Sequence, residues 1–375
     1  SITLPGNLVS LGKYAFGYSG LTSVFIPAKV TALDYAFYYC RKLASVEFAE
    51  DSLLTEIGTY SFYYCSALTS LNLNALTSLE SIGSRAFSYT TLTSIEIPAS
   101  VTLIDNYAFA YASSLESVTF LTENVAAAGE EPSYKSHLEE IGLYAFQSTA
   151  LTSFSFPETV AEDLVLGNNL FNSCRDLRTL HLSTSVTDLG NALAGCSTIT
   201  SISIANGNNS YSTDPSGAPL LLDTAGTEIV MAYGPMADEA GVYVIPEGFV
   251  SIANYAFSGQ NGIKSLTIPA SVQSIGDYAF RYCRMLEEVS FAEGSSLTTV
   301  GDYAFQGCFS LKEIAFPQTV SSLGGYIFRY DFSLEKVTMP ATVTTIGNYI
   351  FQYNYSLTDV NVPAVSGDGY TQTTG

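Results

Sequence analysis

Apolar and polar positions alternate along this chain in short bursts, each followed by the same second phrase. In "LTSVFIP" (Leu21 to Pro27), Val24 and Ile26 alternate with Ser23 and Phe25. That is the period-two pattern of a half-buried strand. "LEKVTMP" (Leu334 to Pro340) repeats it, and nine of the thirteen prolines close such strands, where the missing N–H costs no ladder bond. The second phrase reads "SIGDYAFRYC" (Ser274 to Cys283), "TVGDYAFQGC" (Thr299 to Cys308), "EIGTYSFYYC" (Glu56 to Cys65) and "SLGKYAFGYS" (Ser10 to Ser19). It predicts one turn of α- or 3₁₀-helix that bends the chain back, with Ile275 and Phe280 inward and Tyr278 outward. Asn254, Asp277, Asp302 and Asn348 sit where an N-cap accepts the first free N–H groups.

Aligned on its phenylalanine, the phrase recurs at residues 16, 37, 62, 87, 109, 146, 171, 257, 280, 305, 328 and 351, with Leu193 as a substitute. Ten of the twelve gaps span 21 to 25 residues, a period within the leucine-rich-repeat range. No single unit can bury its own Leu, Val, Ile and Phe, whereas stacked units bury them in columns. The two long gaps mark insertions. Residues 122–137 are small, acidic and interrupted by proline, which predicts a surface loop. Residues 205–243 carry two apolar runs, Leu220 to Leu222 and Ile229 to Tyr233, around a turn-rich segment, which predicts a β-hairpin. The expected organisation is a single solenoid over 1–364, followed by a tail or linker over 365–375.

The pattern L-x-x-[VI]-x-[IF]-P…V-x-x-I-G-x-Y-A-F-x-x-C resembles the BspA-like branch of leucine-rich-repeat cell-surface proteins, from Ser1 to about Ala364. The resemblance implies a right-handed solenoid with a parallel β-sheet on its concave face and short helical or 3₁₀ turns on its convex face. It also implies a cell-surface or secreted protein, adhesion to host proteins or other cells, no enzyme activity and no cofactor. One departure concerns the second position after the phenylalanine, commonly Gly in such repeats, as at Gly195 and Gly307. Eight copies carry Tyr there, at 18, 39, 64, 89, 111, 282, 330 and 353, and ten more tyrosines fill the Y-A-F position. These columns are expected to form a stacked ladder with hydroxyls in water; an adhesive stripe is the alternative, since aromatic anchors enrich at interfaces.

Charge and chemistry narrow the function. Fourteen basic against thirty-five acidic residues give a net charge of −21, which disfavours nucleic acid and anionic lipid as partners. No apolar run approaches the length of a membrane span. The chain opens in mid-pattern and is read as an excised or processed piece. All six cysteines (40, 65, 174, 196, 283 and 308) share one column, third after the phenylalanine or its substitute. That column faces inward, so buried free thiols are expected. Zinc-ligand spacing, P-loops, dinucleotide fingerprints and EF-hand loops are absent from the sequence. His181 is placed outward on a strand with no nucleophile arranged around it, His137 lies in an insertion, and "NGNNSYSTD" (Asn206 to Asp214) is read as a polar loop.

What remains is the sheet face. The outward residues flanking the buried Val of each strand are mostly Ser and Thr, and this hydroxyl-rich surface suits a protein or glycan partner. Its distinctive members are Phe25, Glu47, Asn72, Glu96 and His181 in the first half and Glu288, Glu313 and Lys336 in the second. The expected function is non-enzymatic: a monomeric surface or secreted protein that binds a host or neighbouring-cell protein or glycan without inserting in a membrane. A passive spacer in a larger surface protein and a glycan-active enzyme are the alternatives.

Overall fold

The computed structural model describes residues 2–126, 133–161 and 163–361. Its chain forms two compact units, Ser1–Ser210 and Tyr211–Gly375. Each is a stack of coils in which a longer strand, a two-residue strand and a tight turn recur.

In the first unit the longer strands pair in parallel in three groups. Ile2–Thr3, Ser23–Ile26 and Ser45–Phe48 form one, Ser94–Ile97 and Ser117–Phe120 another, and Ser153–Ser155, Thr179–Leu182 and Ser201–Ile204 the third. No strand forms at 71–73, although Leu71 and Leu73 are buried. There the Asn72 side chain accepts the Asn74 N–H at 2.9 Å, a local turn that competes with the ladder. The short strands Ala32–Leu33, Glu56–Ile57, Ser81–Ile82, Leu103–Ile104, Glu140–Ile141 and Val165–Leu166 make one continuous parallel ladder. Residues 122–137, expected as a loop, instead pair Glu123–Asn124 with Tyr134–Lys135 in antiparallel fashion. Asn124 Oδ1 accepts the N–H groups of Ala126 and Ser133, and His137 Nε2 meets Glu123 Oε1 at 2.6 Å.

The second unit starts with the insertion. Tyr211–Thr213, Leu220–Asp223 and Glu228–Ala232 form an antiparallel meander, the predicted hairpin with one strand more. Asp223 Oδ1 closes its turn by accepting the N–H groups of Thr227 and Glu228. Glu228–Ala232 then pairs in parallel with Ser251–Ile252 and so heads the ladder of short strands. Leu220, Leu222, Ile229 and Ala232 join the core of this unit. From Val242–Val244 to Asp359–Asn361 the longer strands form one unbroken six-stranded parallel sheet. The tail 365–375 lies outside the described residues.

The expected helical turns are absent: the described residues contain no helix. Alternate turn N–H groups donate to the next coil, while those between them donate back along the chain, Arg281 N–H to Tyr278 O (3.0 Å) and Cys283 N–H to Phe280 O (3.2 Å). Tyr278 N–H reaches Asp302 O (2.8 Å), Phe280 N–H reaches Ala304 O (2.7 Å) and Tyr282 N–H reaches Gln306 O (2.8 Å). Tyr278 and Tyr282 have φ of 57° and 56°, which no right-handed helix accommodates. The expected caps bridge coils as well. Asn254 Oδ1 accepts the Asp277 N–H, Asp277 Oδ1 that of Asp302, and Asp302 Oδ1 that of Gly325, at 2.6 to 2.7 Å. The glycine of the "IG" pair allows this approach, because a Cβ on Gly301 would stand 2.7 Å from Asp277 N.

Inside, the phenylalanines form a ladder. Phe37, Phe62, Phe87, Phe109, Phe146 and Phe171 are buried, with successive ring centroids 5.3 to 5.9 Å apart. Each buried ring contributes roughly 1.5–3 kcal/mol relative to exposure. The six cysteines are buried and free. Five of their thiols donate to the carbonyl of the phenylalanine in the preceding coil: Cys40 to Phe16, Cys65 to Phe37, Cys174 to Phe146, Cys283 to Phe257 and Cys308 to Phe280, at 2.9 to 3.3 Å. Burial pushes the Cys283 thiol up to about 12 and Cys308 well above the ordinary thiol value. A thiol so held is a poor nucleophile for disulfide exchange.

Candidate functional site

The strand sheets place the sequence-selected residues other than Asn72 on their solvent side and divide them between the two units. In the first, Phe25 pairs in register with Glu47, and Phe25 leaves 46% of its surface exposed. The Asn72 side chain is spent on its own turn, while Asn74 Nδ2 donates to Glu96 Oε2 at 2.5 Å. His181 lies between Ser155 and Ser203 in register, and its Nδ1 is 2.9 Å from Ser203 Oγ. This Ser–His contact has serines, and not a carboxylate, as its row neighbours. In the second unit Glu288, Glu313, Lys336 and Asp359 stand side by side in one row. Ser265 Oγ donates to Glu288 Oε2 at 3.4 Å. Such a row offers a shallow line of charges and hydroxyls to a partner. Among the described residues no three His, Cys, Asp or Glu side chains gather as a metal ion requires.

The opposite, turn side carries the tyrosines. Tyr39, Tyr64, Tyr89 and Tyr111 stack with centroids 4.6 to 4.9 Å apart, and Tyr255, Tyr278, Tyr303, Tyr326 and Tyr349 do so at 4.6 to 5.1 Å. The ring faces cover one another, leaving mainly edges and hydroxyls to solvent. Burial, then the neighbouring Tyr255 and Tyr303, push the Tyr278 hydroxyl up to about 12. The family's usual glycine at the second position after the phenylalanine has a backbone cause: Gly195 and Gly307 have φ of 83° and 75°, and Tyr39, Tyr64 and Tyr89 adopt 60° at the same place. Tyrosine accepts a left-handed conformation there in exchange for stacking.

Sequence reasoning did not find the basic side chains of this turn side. Arg41, Arg85, Arg281, Arg284 and Arg329 all lie over aromatic rings. They fall at three positions of the repeat, one after the phenylalanine (Arg281, Arg329), four after it (Arg41, Arg284) and two before it (Arg85), and no position holds arginine in every coil. Their sequence signals are recurrence one or four residues after the phenylalanine and proximity to the tyrosines of the same or the next coil.

Comparison with known proteins agrees with this architecture. No curated protein matches the chain. Among solved structures, a leucine-rich cell surface protein from Faecalibacterium prausnitzii is 24% identical, with a TM-score of 0.60 over 97% of this chain and 88% of its own. A leucine-rich repeat protein from Eubacterium ventriosum is 19% identical, with a TM-score of 0.59 over 94% of this chain and 78% of its own. The pneumococcal vaccine antigen PcpA is 21% identical, with a TM-score of 0.57 over 96% of this chain and 77% of its own. At these identities the likeness shows the fold. The model of the BspA type leucine rich repeat region matches residues 33–134, 128–214 and 243–366. With more than half of the chain so matched, and its coils built from that repeat, this protein belongs to the BspA-type leucine-rich-repeat family.

Proposed function

We propose that this protein is a non-enzymatic adhesion protein, displayed at the cell surface or secreted, that acts as a monomer and binds a host or neighbouring-cell protein or glycan through its strand face. The observation that carries this reading is the row of outward side chains on the parallel sheets. Neither the buried columns nor the turns need Phe25, Glu47, Glu288, Glu313 or Lys336, and repeat proteins of this kind offer such extended surfaces to partners. The description of the Faecalibacterium relative as a cell surface protein supports the location. Singly exposed aromatics are tolerated without purpose, so Phe25 matters through its pairing with Glu47. The charges of the second unit steer and orient a partner more than they hold it.

The test is retention of mucus and plasma proteins on the immobilised chain. Phe25→Ala and a Glu288/Glu313/Lys336 triple alanine variant are expected to weaken retention while the melting temperature barely moves, since no core column is touched. Tyr282→Ser and Tyr303→Ser, on the turn side of the second unit, are expected to leave retention intact. Loss of retention in the tyrosine variants alone would transfer the binding surface to the turn side. No retention by the unmodified chain would leave a passive spacer.

A further inference from the structure

Where the first two coils of the first unit leave the turn side, Tyr18, Ser19, Gly20, Tyr39, Arg41 and Lys42 line an open recess of about 330 Å³. Its two cations are unusual in a chain of net charge −21. Among the described residues the only ion pairs are Lys13–Asp34 and His137–Glu123, so neither Arg41 nor Lys42 is neutralised by a carboxylate. Arg41 is also held in place: its guanidinium lies 4.9 Å from the Tyr39 ring centroid and 5.3 Å from that of Tyr64. Stacking of this kind leaves the planar fork free to bind a carboxylate and lowers the entropy lost on doing so. Gly20 leaves room, since a Cβ there would meet nothing within 4 Å.

We propose that this recess binds an acidic sugar residue, a uronic or sialic acid, with its carboxylate on Arg41 and Lys42. The volume is at the lower end of small-molecule sites, about 300–1,000 Å³, and exceeds what a simple anion fills. The Ser19 hydroxyl, which contacts Cys40 Sγ at 3.3 Å and keeps lone pairs to accept with, and the tyrosine edges of the lining suit the hydroxyl groups of a sugar ring. The acidic chain repels anions at a distance, so the recess selects a ligand held by directional bonds and neutral contacts as well as by charge. This site lies apart from the outward rows of the strand sheets and does not depend on the adhesive reading of that face.

The test is titration of the intact chain with glucuronic acid and N-acetylneuraminic acid, with glucose and sulfate as the neutral and the purely ionic controls. At least one acidic sugar is expected to bind saturably, more tightly than sulfate, while glucose does not bind. Lys42→Gln and Arg41→Lys are each expected to weaken that binding about tenfold or more, as for a lost hydrogen bond to a charged group. Lys42→Gln removes no ring contact, so its melting temperature is expected to stay unchanged. Sulfate binding as tightly as both sugars, glucose binding as well as they do, or unaltered affinity in Lys42→Gln would each overturn the assignment. So would the absence of binding by either acid.

Discussion

Asp331 occupies the column that elsewhere holds cysteine, and the column explains its cost. Five thiols there donate to a carbonyl of the preceding coil, and in the last coil Asn354 Nδ2 donates to Phe328 O at 2.7 Å. A carboxylate has no proton to donate. Asp331 Oδ1 accepts the Cys308 N–H at 2.8 Å, but Oδ2 is buried without a partner. Burial therefore pushes its carboxyl well above the usual carboxylate range. Because the folded-state value is raised, the folded protein holds this proton more tightly than the unfolded chain. The contribution of Asp331 is fully present below about pH 4 and declines as pH rises toward the folded-state value. Asp331→Asn is expected to stabilise the protein at neutral pH by about 1–3 kcal/mol, the cost of an unsatisfied buried polar group, and to remove this part of the pH dependence. Denaturant unfolding at pH 4 and pH 7 checks both; a variant less stable than the parent at pH 7 would contradict the argument.

At the scale of the turn, the tyrosine columns balance strain against stacking. A left-handed non-glycine residue costs roughly 1–2 kcal/mol, and each aromatic pair returns roughly 0.5–1.5 kcal/mol. Tyr64, with φ of 60°, has stacked neighbours on both sides, Tyr39 at 4.6 Å and Tyr89 at 4.9 Å. Tyr64→Ala loses both stacks and keeps the strain, so a loss of about 1–3 kcal/mol is expected. Tyr64→Gly loses the stacks but relieves the strain and is expected to be the more stable of the two, the reverse of their order in a helix. Urea unfolding of both variants decides the matter. The sequence alone showed which residues share the column. It did not show the left-handed backbone, because one turn of helix also places Ile275 and Phe280 inward, and the two differ in the positive φ of Tyr278 and Tyr282 and in the alternate N–H groups that cross to the next coil. The candidate site was legible to a similar depth: alternation placed Phe25 and Glu288 outward, but Asn72 looked equally free until its side chain was found bonded within its own turn.

At the scale of the molecule, the insertion from Tyr211 onward belongs to the second unit and contributes to its core. Leu220, Leu222 and Ile229 are buried there, against Phe249, Ile252 and Phe257 within the same cluster. Exposing such side chains costs roughly 1.5–3 kcal/mol each, and removing the meander also uncovers the edge of the Ser251–Ile252 strand. A fragment spanning 206–375 is therefore expected to fold with a cooperative melting transition, whereas one spanning 242–375 is expected to melt at a distinctly lower temperature or not to fold. Equal melting of the two would show that the meander is a dispensable outgrowth.

By itself the sequence determined the repeat, its period, the buried columns and the family, since each of these follows from the spacing of apolar residues and from the need of incomplete units to stack. Tertiary structure decided what spacing leaves open. It sent alternate turn N–H groups across coils, made the insertion the head of a ladder, and brought Arg41 and Lys42 together with Tyr18 from the neighbouring coil. Contacts between coils join residues more than twenty positions apart, and no local pattern specifies which side chains meet across that distance.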